Sequence, residues 1–177
     1  EQAAVESARY LDEVVGVPAI IGPSASGDAA LVLDAVKASK VLVMSPSASS
    51  PELTGRDVVS VPTDEAPGLF WRTVAPDTLQ GAAIARQIIA VSPSTKNVVV
   101  IAEKGPYGTA LQEVFSANFQ KDGRTVRVVE YTNSSERDAA IVTAAAAPAP
   151  PFVLFFSSQT PDAVAFLNAA KSLDSYK

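Results

Sequence analysis

The chain has 177 residues, 47% of them hydrophobic, and a formal net charge of −5, which predicts one ordinary domain or two small lobes with a real core. Because it contains no histidine and no cysteine, the sequence excludes Cys/His zinc sites, disulfides and Ser-His-Asp or Cys-His catalysis. It also lacks clustered Lys and Arg, the common nucleotide-binding loops and any apolar run near the ~20 residues of a membrane helix, so no nucleic acid, cofactor or membrane span is expected.

The first part of the chain predicts a helix followed by short apolar strands. Valine, leucine and alanine recur on one helical face near the start, and Gly16 ends that helix. Residues 55–69 are predicted to be irregular, and Trp71 and Arg72 are interpreted as packing at the end of the sheet. The predicted elements are helices over 2–15 and 28–39, strands over 17–21, 41–45 and 69–73, and a helical turn after Pro51.

The second part alternates strands and helices. Residues 97–102 form a continuous apolar strand, which is typical of a sheet covered on both faces. Ser135 is predicted to cap a helix whose start, Arg137 and Asp138, is solvated. The predicted elements are helices over 77–91, 109–121, 135–147 and 161–173, and strands over 97–102, 126–131 and 152–156. This alternation predicts an α/β fold with parallel sheets, and the segment 73–77 is the natural boundary between two units.

The tetrapeptide Pro-Ser-Ala-Ser occurs at 23–26 and again at 46–49, each time directly after a predicted strand. A right-handed βαβ unit places two such loops at the carboxyl edge of one parallel sheet, where ligands bind in α/β proteins. Hydroxyls and free N–H groups there suit a small anion such as a carboxylate. The two loops therefore predict a pocket for a small polar molecule, although Ser24 and Ser45 are interpreted as caps of turns.

Five segments together carry a resemblance to a known family. They are P-A-I-I-G-P-S-A-S-G (18–27), V-L-V-M-S-P-S-A-S-S-P-E-L-T (41–54), F-W-R-T-V-A-P-D-T-L-Q-G (70–81), A-E-K-G-P-Y-G-T-A-L (102–111) and the strand-loop-helix over 152–173. These segments resemble the type I periplasmic binding proteins, specifically the leucine/isoleucine/valine-type receptors of bacterial ABC transporters. They occur in the order of the family and extend over nearly the whole chain. The receptors normally begin with a further strand and helix and continue beyond Lys177.

The resemblance implies two doubly wound parallel-sheet lobes, both incomplete, with 1–75 in the first, 76–177 in the second and a hinge near 74–77. It also implies that serines and loop N–H groups of the first lobe hold the α-carboxylate of an amino acid, while the second lobe closes over it. A tyrosine between Pro106 and Gly108 is in addition poorly placed for core packing. The implied contacts are Ser26, Ser47, Ala48, Ser49, Tyr107, Gln159 and Thr160.

The implied function is that of the substrate-binding component of an ABC importer, which captures an amino acid or similar small carboxylate by hinge closure. Such a protein is not an enzyme and needs no cofactor or metal. It is periplasmic or otherwise extracytoplasmic, with or without a lipid anchor, and it delivers its ligand to a membrane permease. The alternative with the same fold is a ligand-sensing domain of a signalling receptor or transcription regulator.

An enzyme that uses carboxylates such as Asp28, Glu52 or Glu103 is a third hypothesis, but no pattern in the sequence pairs these acids. Self-association is expected, because a partial two-lobe chain exposes apolar sheet surface.

Overall fold

The computed structural model describes residues 2–54, 68–146 and 152–173. The chain divides into two compact units, Glu1–Asp77 and Thr78–Lys177. Within the described residues each unit contains its own three-stranded sheet, and every strand pair is parallel. The predicted α/β class with two parallel sheets is therefore confirmed. None of the described helices combines the length and the apolar character that crossing a membrane requires.

The first unit has the sheet order β1-β2-β3, with all strands parallel. Gly16, in a left-handed conformation with φ of 72°, ends the first helical segment as predicted. Most of the segment predicted to be irregular, 55–67, lies outside the described residues. The elements are α1 (Gln2–Arg9), which continues as a π-helix (Tyr10–Val15), β1 (Ala19–Ile21), α2 (Ser26–Val36), β2 (Leu42–Ser45) and β3 (Phe70–Arg72), with 3₁₀ turns at Lys37–Ser39 and Pro51–Leu53.

The core of the first unit lies on one face of this sheet. Ile20, Val43 and Phe70 form a row across the three strands and pack in the same cluster as the apolar side chains of α1 and α2. Successive residues of a strand point to opposite faces, so the next row, Ile21, Met44 and Trp71, lies on the other face. Ile21 is 84% exposed and Trp71 is 45% exposed. Parallel sheets are usually covered on both faces, whereas the exposure of Ile21 and Trp71 leaves this second face open within the described residues.

We predict that the chain self-associates through the open face, because contact between two such faces removes apolar side chains from water. Sedimentation velocity over a concentration series should show the mean sedimentation coefficient rising with concentration. Ile21→Lys should suppress that rise, whereas Leu31→Lys, a matched change at a partly exposed leucine of α2, should not. A wild-type chain that stays monomeric at every concentration would contradict the prediction.

The second unit has the sheet order β5-β4-β6, so β4 is its central strand. The elements are α3 (Asp77–Val91), whose first residue ends the first unit, β4 (Asn97–Glu103), α4 (Gly108–Phe119), β5 (Thr125–Tyr131), α5 (Ser134–Ala146), β6 (Val153–Phe156) and α6 (Thr160–Ser172). Alternate residues of β4 pack in two different clusters. Val98 and Val100 contact the cluster of α3 and α4, and Val99 and Ile101 contact that of α5 and α6. The prediction that this strand is covered on both faces is confirmed.

The start of α5 differs from the sequence prediction. Asn133 Oδ1 accepts a hydrogen bond of 3.0 Å from the Glu136 N–H, so Asn133 rather than Ser135 is the cap. The expectation of a solvated Arg137 was also wrong. Its side chain is only 12% exposed, and its Nη1 lies 2.7 Å from Oδ1 of Asp162 in α6. Asp162 is distant from Arg137 in the sequence. This ion pair joins α5 to α6, whereas Asp138 stays exposed.

The turn from β4 into α4 requires glycine at position 108. A Cβ on Gly108 would lie 2.1 Å from the carbonyl oxygen of Glu103, a backbone atom that cannot rotate away. Gly108→Ala should therefore lower the free energy of unfolding by about 2 kcal/mol or more, in the range of overpacked cores. Urea unfolding would measure this, with the exposed Ala117→Ser in the same helix as the control. A loss below about 0.5 kcal/mol, typical of surface changes, would show that the turn tolerates a side chain.

Candidate functional site

The two serine loops meet at the carboxyl edge of the first sheet, because β1 and β2 are adjacent and parallel. Three hydrogen bonds join them. Ser45 Oγ donates to Pro23 O over 2.5 Å, and Ser47 Oγ donates to Ser24 O over 2.9 Å. The Ser50 N–H donates to Ser26 Oγ over 3.2 Å. The loops are therefore one connected structure.

Four of the predicted contact residues lie in this structure. Ser26 is 3% exposed and begins α2 after the cap residue Ala25, so it lies in the first helical turn rather than in the preceding loop. Ala48 and Ser49 are buried, and Ser47 is exposed. The structure brings these residues together, while their contact with a ligand stays a prediction.

The serine hydroxyls differ in which groups they can still bind. Ser45 donates to Pro23 O and accepts from the N–H groups of Ser47 and Ala48, so its predicted role in a turn is confirmed. The proton of Ser47 is directed to Ser24 O. Ser26, in contrast, accepts from Ser50, which leaves its own proton able to donate to a further acceptor.

Arg72, at the end of β3, holds the second serine loop from the side opposite the first loop. Its Nη1 donates to Ala48 O over 3.3 Å and to Ser50 O over 2.8 Å. Its Nη2 donates to the Thr54 hydroxyl. The interpretation of Arg72 as a packing residue missed these polar contacts. The available signal was an arginine at the carboxyl end of a strand that pairs with the strand preceding the serine loop.

Asp77, the first residue of α3, was also missed. Its backbone N–H donates to Ser49 O over 2.9 Å, and its side chain is 0% exposed. Within the described residues, neither carboxylate oxygen has a hydrogen bond of regular geometry, although the Ser49 hydroxyl and Arg72 lie near enough to act on its charge. Burial raises the pKa of Asp77, and both neighbours oppose that shift. Burial likewise lowers the pKa of Arg72, against the effect of Asp77, so each charge partly compensates the other.

The remaining predicted contacts belong to the second unit. Tyr107 follows β4, and Gln159 and Thr160 follow β6, its neighbour in the sheet. The carboxylate of Glu103 joins the two loop regions, because its Oε2 accepts from Ser157 Oγ at 3.0 Å, the Ser158 N–H at 2.7 Å and Ser158 Oγ at 2.9 Å. Glu103, one of the three carboxylates named in the enzyme hypothesis, is therefore engaged in hydrogen bonds with the loop after β6.

The argument that Tyr107 is poorly placed for core packing was wrong. Its side chain is partly buried and packs against the cluster that contains Leu111 and Phe115. Gln159 and Thr160 are exposed, and Thr160 begins α6. Gln159 Nε2 donates to Ser158 Oγ over 3.2 Å, which attaches it to the Glu103 network. In the described part of the chain, no group of three or more acidic side chains is arranged to hold a metal ion.

Comparisons with known proteins agree on one family. A family model described as "Periplasmic binding protein" matches residues 1–176. The chain is 29% identical over 128 residues to the Leu/Ile/Val-binding protein BraC3 of Rhizobium johnstonii, an alignment that covers 72% of the chain and 32% of that protein. It is 30% identical over 129 residues to the Leu/Ile/Val-binding protein homolog 3 of Brucella melitensis, with the same two coverages.

A third relative is a leucine-, isoleucine-, valine-, threonine- and alanine-binding protein of Pseudomonas aeruginosa. It is 28% identical over 123 residues, which cover 70% of the chain and 30% of that protein. The chain thus spans about a third of the length of these curated relatives.

The buried carboxyl of Asp77 predicts a dependence of stability on pH. Because its pKa is raised in the folded chain, the folded state holds this proton more strongly than the unfolded state. Its contribution to stability is therefore present below the ordinary aspartate pKa of about 4 and is lost as the pH rises through the raised value. Asp77→Asn removes the titration, so the stability of the variant relative to wild type should increase from pH 4 to pH 7.

Urea unfolding at several pH values would measure this difference, with Glu113→Gln, which neutralises an exposed carboxylate, as the control. A variant that loses stability relative to wild type as the pH rises would contradict the assignment.

Proposed function

Because the chain belongs to the periplasmic binding protein family, we propose that it forms part of an extracytoplasmic receptor that captures an amino acid for an ABC importer. Capture is reversible and involves no chemical change of the ligand. The curated relatives are named for binding leucine, isoleucine and valine, and one of them also for threonine and alanine, which supports a small apolar amino acid as the ligand.

The observation that carries this proposal is the joined pair of serine loops at the carboxyl edge of the first sheet. Neutral hydroxyl and N–H donors bind a carboxylate through charge-assisted hydrogen bonds without burying a positive side chain against it. Ser26 lies in the first turn of α2, where the helix dipole favours an anion. Its hydroxyl proton is able to donate, and Ser49 lies in the adjoining loop. The α-carboxylate of an amino acid fits this set of donors.

The second unit completes the site in this proposal. Tyr107, Gln159 and Thr160 contact the ligand when the two units close about a hinge near 74–77, and a membrane permease recognises the closed state. The division of the chain after Asp77 supports a hinge at that place. Ligand contacts made by both units favour the closed state, since a ligand shifts an equilibrium by its differential affinity. The phenol ring of Tyr107 is suited to cover an apolar side chain.

A thermal-shift and calorimetry screen of the chain tests the ligand class. The panel comprises L-leucine, L-isoleucine, L-valine, L-threonine and L-alanine, with L-lysine, L-glutamate and L-leucinamide for comparison. An amino acid at 100 times its Kd should stabilise the folded chain by about 2.7 kcal/mol. L-Leucinamide, which lacks the carboxylate, should not stabilise it. Equal stabilisation by L-leucinamide would exclude carboxylate capture by the serine loops.

Substitution of the two buried serines tests the site itself. Ser26→Ala and Ser49→Ala should each weaken L-leucine binding about tenfold or more, because a hydrogen bond to a charged group contributes about 1.5–3 kcal/mol. Ser116→Ala removes a hydroxyl that bonds within α4 and should leave the affinity unchanged. The affinities of Tyr107→Phe and Tyr107→Ala for L-leucine, measured in the same way, distinguish the contribution of the tyrosine hydroxyl from that of its ring. Wild-type affinity in both serine variants would overturn the site assignment.

A further inference from the structure

The second serine loop is held by its carbonyl groups. Three consecutive carbonyls, those of Ala48, Ser49 and Ser50, accept hydrogen bonds from Arg72 or from the residue-77 N–H. We propose that Arg72, with the buried carboxylate of Asp77 as its counter-charge, is the positioning residue that holds this loop and directs the Ser49 N–H towards the ligand. The inference rests on the proposed function, since it concerns the same carboxylate site.

Peptide geometry transmits the effect of Arg72 to the donors. In a planar trans peptide the carbonyl and the following N–H point in opposite directions. The bond from Arg72 to Ala48 O therefore directs the Ser49 N–H away from the guanidinium. The bond from Asp77 to Ser49 O does the same for the Ser50 N–H, which is the group that reaches Ser26 Oγ. Arg72 thus acts on the Ser49 N–H, which it does not itself touch, while its bond to Ser50 O fixes the end of the loop before Pro51.

The planar guanidinium is suited to this task in a way that an ammonium group is not. One guanidinium reaches two carbonyls of the loop and the Thr54 hydroxyl at once, with its donors in a rigid fork. A lysine at this position keeps the charge but has no fork, so it cannot reproduce the three contacts together.

Burial explains why Asp77 accompanies Arg72. A half-buried guanidinium without a counter-charge carries a desolvation cost, and the fully buried carboxylate of Asp77 offsets part of it. The two carboxylate oxygens have no hydrogen bond of regular geometry within the described residues. The Ser49 hydroxyl and the charge of Arg72 both act on this carboxylate, so Asp77 is linked to the loop as well as to the guanidinium.

Two measurements on the full chain test the proposal. The first is the backbone amide spectrum of the ligand-free protein, in which the Ser49 and Ser50 signals report the loop directly. The second is the Kd for L-leucine by titration calorimetry. Arg72→Lys and Arg72→Met should each shift both amide signals and weaken L-leucine binding about tenfold. Asp77→Asn should weaken binding at pH 7, where its stability relative to wild type is higher than at pH 4, so a folding defect does not explain the loss.

The matched control is Arg127→Met. Arg127 also donates to two backbone carbonyls, those of Thr143 and Ala144, but it does so in the second unit. This variant should leave the Ser49 and Ser50 signals and the Kd for L-leucine unchanged. If Arg72→Met does not fold, Arg72→Lys, which retains the charge, gives the same comparison.

The outcomes separate this inference from the proposed function. Wild-type affinity in the Arg72 variants, together with weakened binding in Ser49→Ala, would overturn the inference and keep the function. If the wild-type chain binds no amino acid, the proposed function fails. The amide spectra alone then test whether Arg72 positions the loop. Unchanged Ser49 and Ser50 signals in Arg72→Lys would then overturn the positioning role, and displaced signals would support it.

Discussion

The parallel pairing of β1 with β2 determines where the polar groups of the first unit lie. Because the two strands run side by side in the same direction, the loops that follow them leave the sheet at one edge. The hydrogen bonds between Ser45 and Pro23, and between Ser47 and Ser24, are consequences of that pairing. The pairing of β2 with β3 adds Arg72 on the other side of the same loop. A strand register shifted by one residue would lose all these contacts together, since it would reverse the faces of the side chains.

The features that were predicted correctly from the sequence depend on local pattern. Apolar runs of strand length, helical periodicity and the glycine at position 16 gave the elements and their order, and the repeated serine tetrapeptide identified two loops at one sheet edge. The apolar run at 97–102 predicted a strand covered on both faces, because a sheet with one solvated face alternates polar and apolar residues. These properties are encoded within short segments, so they can be recognised from the sequence without knowledge of tertiary contacts.

Two of the features that were missed depend on partners far along the chain. Arg72 donates to residues more than twenty positions earlier, and Arg137 pairs with a carboxylate twenty-five positions later. Arg137 also pairs with its neighbour Asp138, and that local pair gives no sign of the contact with α6. Tyr107 was missed for a different reason: its glycine and proline neighbours suggested an exposed loop, but the residue immediately precedes α4 and packs against the cluster that contains Leu111 and Phe115. Long-range contacts thus decided the environments of Arg72 and Arg137, whereas the adjacent helix contributes to that of Tyr107.

Asp77 ends the first unit and begins α3, and its N–H is bonded to the Ser49 carbonyl. The start of α3 is therefore attached to the serine loop through main-chain atoms alone. A substitution at position 77, other than to proline, changes the buried carboxylate and keeps this backbone donor, so the charge of the residue and its attachment to the loop can be altered separately.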